Sequence, residues 1–396
     1  MNSGVVILTE SPFKRPSPTA TGVLRCLKKE NIPTLLISSN RHDPAVYSKY
    51  VRYYPTLDPK RFPDKYMQTL LDIGRDDKNY VLMPTSDDTL KLVSNYRDLL
   101  SEYFILFLPK REVIDVCLNK RKMYEIAIKN DIPVPRTVFF DDVDELRKAS
   151  KVVRYPCLVK PHTNDERIFF HKKVIQIESP SQLISVFEYL HEKECIPMIQ
   201  EKIIGPPSNL YSLGTVMDED HETVAVFTGR KIRQLSYDFG VGTFCESLWV
   251  PEVAELGVKL LKSIKYTGIA QVEFKFDPRD RKYKLMEINA RPWFWVSLTA
   301  ACGMNIPYIL YKLAIGENAC VKGFLENIKW QWTCGDIGLF ITQIISKNPD
   351  FSFRDFFHSL FEKRVFATYS INDLNPFCTE ITQSVLYIKN LLRYFI

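Results

Sequence analysis

Two glutamates, an asparagine and an arginine fall with strand spacing in Gln271-Val-Glu273-Phe and Met286-Glu287-Ile288-Asn289-Ala-Arg291. Side chains alternate faces along a strand, so Glu287, Asn289 and Arg291 share one face. Between them, Asp277-Pro278-Arg279-Asp280-Arg281 reads as a hairpin turn. A turn centred on Asp280 sets Glu273 opposite Glu287 on that same face. Like charges opposed in a sheet are destabilising by up to ~1 kcal/mol, and a cation removes the repulsion. Two carboxylates and one amide oxygen suit Mg²⁺, which prefers oxygen ligands and retains water and phosphate oxygens. Arg291 beside them has the fork that grips a phosphate or a carboxylate. The bland alternative is a solvated hairpin with alternating polar residues.

Other side chains could serve the same chemistry. Lys160 ends the apolar run Cys157-Leu-Val, where a half-buried ammonium favours an anionic partner unless it snorkels to solvent. Lys120 lies in a basic run, Lys120-Arg121-Lys122, which by itself describes a solvated helix face. Arg230-Lys231-Ile232-Arg233 is strand-like, so its charges alternate and only one side can face a site. Gln200-Glu201-Lys202-Ile203 reads as a core strand. The sequence carries no signal for a Ser, Cys or His nucleophile.

Composition narrows the classes. With 396 residues, 45% hydrophobic and 25% charged, the chain has globular proportions and length for two or three domains. Its 15 glycines are few, and it contains neither Gly-x-x-x-x-Gly-Lys-Ser/Thr nor Gly-x-Gly-x-x-Gly, which argues against Walker-type and dinucleotide-binding folds. Six scattered His with no His-x-x-x-His pair argue against zinc. Nine Cys, irregularly spaced, predict free thiols in a reducing cytoplasm. A net charge of +6 allows an anionic small molecule without requiring nucleic acid. The longest apolar run, about Tyr103 to Pro109, is far short of the ~20 residues of a membrane span. Met1–Thr9 reads as a first strand and not a signal peptide. A cytoplasmic protein away from membranes is expected.

The elements that would position these residues follow from periodicity. Residues 1–110 alternate strands (Val5–Leu8, Thr34–Ser38, Tyr80–Met83, Ile105–Leu108) with helices, which implies a doubly wound parallel sheet. Residues 110–130 read as one amphipathic helix, ended by Ile132-Pro-Val-Pro. Asp141–Ser150 and Ser181–His191 read as helices, Lys172–Ile177 and Met198–Ile203 as strands. Residues 210–276 are strand-rich, broken by a helix at Pro251–Ile264. The aromatic tail after Gly316 reads as mostly helical, for example Phe353–Phe361 and Ile381–Phe395.

With these motifs the chain resembles the ATP-grasp superfamily over about residues 112–315. Glu273, Glu287, Asn289 and Arg291 reproduce its Glu…Glu-x-Asn-x-Arg pattern. The flanking Gly268-Ile-Ala-Gln-Val-Glu-Phe-Lys and Met286-Glu-Ile-Asn-Ala-Arg-Pro-Trp are most similar to the branch containing D-aspartate ligase and relatives of carbamoyl-phosphate synthase. The resemblance implies an α/β and α+β chain. Residues 1–110 would form an N-terminal α/β domain, 111–195 and 196–318 the two ATP-grasp lobes, the second carrying the metal hairpin, and 319–396 a helical C-terminal region. It also implies roles. Lys120 and Lys160 would bind the nucleotide, Lys160 at the phosphates. Glu201, Lys202 and Ile203 would read adenine, partly through backbone groups. Arg230 and Lys231 would face the reacting groups, Arg233 the phosphates, and Glu273, Glu287 and Asn289 would hold Mg²⁺, with Mn²⁺ as a substitute. Two departures stand out: the lid region Pro161–His171 has no glycine, and only Asn209 stands near the place of the acidic ribose ligand.

The activity so implied is amide formation from a small carboxylate and an amine at the expense of ATP, through an acyl phosphate. The alternatives are activation of bicarbonate and a nucleotide-binding regulator without chemistry. The tail is read as an accessory domain, with a homodimer interface or an acceptor-side wall as the sharper alternative.

Overall fold

The computed structural model describes residues 4–9, 17–76, 80–140, 145–146, 150, 153–163, 174–193, 195, 197–235, 240–319, 321–346 and 351–384. The expected helices at 141–150 and 381–395 and the glycine-free lid lie wholly or largely outside them.

The chain begins with β1 (Val5–Leu8), α1 (Pro18–Lys29), β2 (Thr34–Ser38), β3 (Arg52–Pro55), α2 (Pro63–Asp76), β4 (Val81–Pro84), α3 (Asp87–Asn95) and α4 (Arg97–Ser101). The four strands pair in parallel in the order β3-β2-β1-β4. β1, β2 and β4 are buried throughout, as expected of a parallel sheet covered on both faces. Ser86 starts α3 through a reciprocal capping box with Thr89, which fixes Asp87 and Asp88 in the first turn beyond the carboxyl end of β4. The expected strand at Ile105–Leu108 shrinks to a bridge between Ile105 and Val81. Beyond it, the carbonyls of Leu108 and Pro109 accept from the Arg97 guanidinium, not from a neighbouring strand.

Residues 110–130 form two helices, α5 (Arg111–Leu118) and α6 (Lys120–Lys129), correcting the single helix expected. Asn119 breaks the run at φ −110°, ψ 110° and caps α6 by accepting from the Lys122 amide. The break lets the Lys120 amide donate to the His162 carbonyl at 2.9 Å, which ties α6 to the segment after β6.

Next come β5 (Thr137–Val138), β6 (Cys157–Lys160), β7 (Ile175–Ile177), α7 (Pro180–His191) and β8 (Met198–Glu201), an antiparallel sheet in the order β5-β8-β6-β7. Cys157, Val159 and Ile199 pack with Leu183, Phe187 and Leu190 of α7. Alternation then turns Leu158, Lys160 and Gln200 to the other face.

The larger sheet contains β9 (Leu210–Met217), β10 (Thr223–Gln234), β11 (Gly242–Ser247), β12 (Gly268–Asp277) and β13 (Lys282–Asn289), with α8 (Pro251–Ser263) between β11 and β12. Leu213, Val272, Phe274 and Leu285 share a core with Leu260 and Leu261 of α8. The opposite face carries Trp293 and Trp295, packed with α9 (Ser297–Ala301) and α10 (Ile306–Ala314). Gly214 makes room there, since a Cβ would fall 2.3 Å from the Trp293 ring.

The tail is less helical than expected. Besides α11 (Thr333–Ser346) and α12 (Phe353–Ser359), it supplies β14 (Lys329–Gln331) and β15 (Arg364–Phe366), which extend the sheet to β13-β12-β9-β10-β11-β14-β15. Both strands have only three residues, too short for alternation to reveal them. The tail also reaches the first domain: Arg25 of α1 donates to the carbonyls of Ala367, Thr368, Tyr369 and Asp373. The eight described cysteines are free, and no described helix is long and apolar enough to cross a membrane.

Candidate active site

The hairpin register places Glu273 opposite Glu287 and Gln271 opposite Asn289, as the spacing predicts. A bulge follows, pairing Phe274 with Leu285, so the two acids lie at the last regular pair before the ladder slips. Glu273 is buried and Glu287 half-buried. Among the described residues no three His, Cys, Asp or Glu side chains converge. The oxygen donors of this face are two carboxylates and the Asn289 amide.

Lys231 approaches from β10, two strands away from β12 in the sheet. Its ammonium donates to Glu273 Oε2 at 2.8 Å, with both side chains nearly sealed from solvent. Burial opposes the charge on Lys231, but the Glu273 carboxylate outweighs it and holds the ammonium above its usual range. Charge repulsion between the two glutamates is therefore relieved in part by the protein itself. Cys245, cross-strand from Lys231, has its thiol pushed up by burial and is not a thiolate near neutral pH.

Lys160 is buried at the end of β6 and donates to Gln200 Oε1 at 2.7 Å, while Gln200 donates to Thr137 at 2.9 Å. The Tyr124 hydroxyl, from α6, lies near Gln200 and donates to the Met286 carbonyl at 3.0 Å. Burial pushes that phenol up, so it stays a donor. Tyr124 thus joins the Lys160 face of the smaller sheet to the residue preceding Glu287. Lys120, at the start of α6, is held beside the same strand end by its backbone bond to His162.

Arg291 donates to Asp87 Oδ1 at 2.6 Å, to the Pro292 carbonyl at 3.1 Å and to Asn289 Oδ1 at 3.3 Å. Burial opposes its charge and Asp87 more than offsets this.

Other expected site residues are engaged elsewhere. Arg230 projects to the opposite face of the sheet from Lys231, because the two alternate along β10. There it pairs with Glu246 at 2.5 Å, and Glu246 also accepts from Lys329. A catalytic place for Arg230 beside Glu273 is corrected by this geometry. Arg233 follows a register shift in β10 and forms a two-pronged pair with Asp336 of α11 at 2.9 and 2.5 Å. Thr243 and Gln331 complete the shell of Asp336, and the guanidinium stacks on Phe244 at 4.2 Å. The expected phosphate contact of Arg233 is replaced by this buried pair. Glu201 spends its carboxylate on the Arg136 amide, Lys284 and Arg279, at the rim of a cavity of about 710 Å³ lined also by Arg154 and Ile199. Lys202 donates to Gln176 on β7 at 2.7 Å, and Ile203 is buried. Both lie beyond the end of β8. Asn209 packs its amide over Gly205, which sits at φ +110°, so it shapes that turn.

Asp87, Gln271, Ser212, Gln200, Tyr124 and Asp336 were not legible as partners in the sequence. Asp87 reads only as a helix-cap acid, and nothing local announces an arginine 204 positions onward.

Residues 250–320, which contain the hairpin, match the family model for the carbamoyl-phosphate synthase L chain, ATP binding domain. D-aspartate ligase of Enterococcus faecium is 26% identical over 313 residues, 73% of this chain and 72% of that protein. The carbamoyl phosphate synthase large chain of Saccharolobus islandicus is 23% identical over 324 residues; the alignment covers 74% of this chain but only 28% of that one. The fold is similar to that of the biotin carboxylase domain of Hydrogenobacter thermophilus 2-oxoglutarate carboxylase, solved with MgADP and bicarbonate. There the TM-score is 0.63 and the identity 16%, covering 83% of this chain and 74% of that chain.

The chain is similar to ATP-grasp proteins, among them D-aspartate ligase and the carbamoyl-phosphate synthase large chain. The relatives it matches include ligases: besides D-aspartate ligase, the D-alanine--D-alanine ligase of Anaplasma marginale is 25% identical over 212 residues, 47% of this chain and 58% of that protein.

Proposed function

We propose that the protein is an ATP- and Mg²⁺-dependent carboxylate–amine ligase that works through an acyl phosphate and releases ADP and phosphate. The observation that carries this reading is the opposed pair Glu273 and Glu287 with Asn289 on one face, with Tyr124 joining the Gln200 that accepts from Lys160 to the Met286 carbonyl beside Glu287. The donor set fits a hard divalent ion: all three groups offer oxygen, and Lys231 balances part of the negative charge through Glu273. When bound, Mg²⁺ would supply charge neutralisation for the β- and γ-phosphate oxygens.

The chain's own groups do the remaining work. Lys160 and Lys120 would neutralise and orient phosphates, a task of positioning and electrostatics more than covalent help. The backbone beyond Glu201, with buried Ile203, would read the adenine edge. Substrate carboxylate oxygen attacks the γ-phosphorus and ADP leaves. The amine nitrogen then attacks the acyl carbon, loses its proton, and phosphate departs with the C–O electron pair. Arg291 would steady the carboxylate or the tetrahedral oxygen. The similarity to D-aspartate ligase supports an amino acid or a derivative among the substrates.

A screen of paired acids and amines for ADP and phosphate release, with ATP and Mg²⁺, tests the reaction. ADP formation should require both partners and disappear in Glu287→Ala. ADP release with bicarbonate alone would contradict the carboxylate–amine assignment, and full turnover by Glu287→Ala would contradict the metal assignment.

A further inference from the structure

A continuous hydrogen-bonded row crosses the face that carries the two glutamates, and from Arg291 to Ser212 every donor in it points the same way. Arg291 Nη2 donates to Asn289 Oδ1 at 3.3 Å, Asn289 Nδ2 to Gln271 Oε1 at 3.1 Å, and Gln271 Nε2 to Ser212 Oγ at 3.1 Å. At the other end Arg291 Nε donates to Asp87 Oδ1 at 2.6 Å. A guanidinium only donates, so whichever amide atom faces Arg291 must be an oxygen. Asn289 is therefore turned with its oxygen toward Arg291, its nitrogen toward Gln271, and Gln271 is turned in the same sense.

We infer that Asp87, on α3 of the first domain, is a positioning residue that acts through Arg291 to fix the amide orientation of Asn289, with Gln271 locking the far side. The consequence rests on the metal reading above: a flipped Asn289 would present its NH₂ group, which cannot ligate a cation. Asp87 is suited to the task because Ser86 caps its helix through Thr89 and its carboxylate holds the Nε edge of Arg291, leaving Nη2 for Asn289. Outer partners of this sort shift metal affinity by about 10- to 100-fold when removed. The arrangement makes cation binding on the hairpin depend on contact with the first domain, which supplies none of the three oxygen donors.

The test follows Mn²⁺ by electron paramagnetic resonance in the presence of a non-hydrolysable ATP analogue. Asp87→Ala should weaken protein-dependent Mn²⁺ binding about 10-fold, and Asp87→Glu should recover most of it. Gln271→Met, which leaves the ion pair intact, should weaken it in the same direction. Wild-type affinity in both Asp87→Ala and Gln271→Met would overturn the inference. A wild-type protein that binds no Mn²⁺ would refute the metal reading instead. The orientation claim is then judged on metal-free protein, where the Asn289 side-chain amide resonances should shift in Asp87→Ala; resonances unmoved there would refute it.

Discussion

The Lys231 ammonium lies 2.8 Å from Oε2 of Glu273, and both side chains are nearly sealed from solvent. The bond puts a fixed positive charge beside the acid that opposes Glu287. It makes the hairpin tolerable without a metal, with Glu287 and Asn289 on the same face beside it.

Removing Lys231 therefore has two readable effects. Lys231→Met strands a buried carboxylate, an error that costs about 3–5 kcal/mol. Unfolding in urea without divalent ions should show a loss of that order. Added Mg²⁺ should restore more stability to the variant than it adds to wild type, because a second cation can take over at Glu273. Equal Mg²⁺ effects on the two proteins would separate Glu273 from the metal.

Lys160→Ala should weaken ATP binding at least about 10-fold, equivalent to the ~1.4 kcal/mol of one modest charge-assisted contact. Titration calorimetry with an ATP analogue checks it. Gln200 should be the first group to lose order, since Lys160 is its hydrogen-bond donor. Unchanged affinity would remove Lys160 from the nucleotide site.

Arg233 and Asp336 should behave as a structural pair. Each single change, Arg233→Met or Asp336→Leu, should destabilise the fold by about 3 kcal/mol or more, and the double variant should be more stable than either single one. A double-mutant cycle in urea gives the coupling. Additive losses would indicate that Arg233 is held for another partner.

Asp43 carries a pH signature. Its carboxyl is fully buried and pushed up to about 6 by burial, against hydrogen bonds from the Ala45 amide and the Thr9 hydroxyl. The folded state thus holds the proton more tightly than the unfolded chain. The stabilising contribution of protonation is complete below about pH 4 and is lost as pH rises through about 6. Asp43→Asn should be more stable than wild type at pH 8, by at most about 3 kcal/mol, with the difference vanishing near pH 4. Melting temperatures measured across that range decide it, and a constant difference would refute the assignment.

The hairpin was legible because its information is local, in a turn, a two-residue period and four polar residues, although the turn pairs Phe276 with Tyr283 and the extra residue of the bulge is what brings Glu287 opposite Glu273. The parallel sheet was legible for the same reason, through apolar strands set between amphipathic helices. The rest depended on contacts the chain cannot announce. Arg230 and Arg233 read as site cations until Glu246 and Asp336 claim them from other strands and from α11. β14 and β15 take part in the sheet through three residues each, below the length at which periodicity is visible. The break at Asn119 is invisible to an apolar pattern that continues across it, and the bond it permits from Lys120 to His162 is a long-range contact.

The central claim is that the hairpin face seats the divalent ion under the triphosphate. Crystals soaked with Mn²⁺ and a non-hydrolysable ATP analogue, measured for anomalous scattering, test it directly. The account predicts anomalous density at about 2–2.3 Å from oxygens of Glu287, Asn289 or Glu273, with the Lys160 ammonium on the phosphates. Nucleotide bound in the cleft with the manganese signal elsewhere, or with no phosphate oxygen at the Lys160 ammonium, would contradict it.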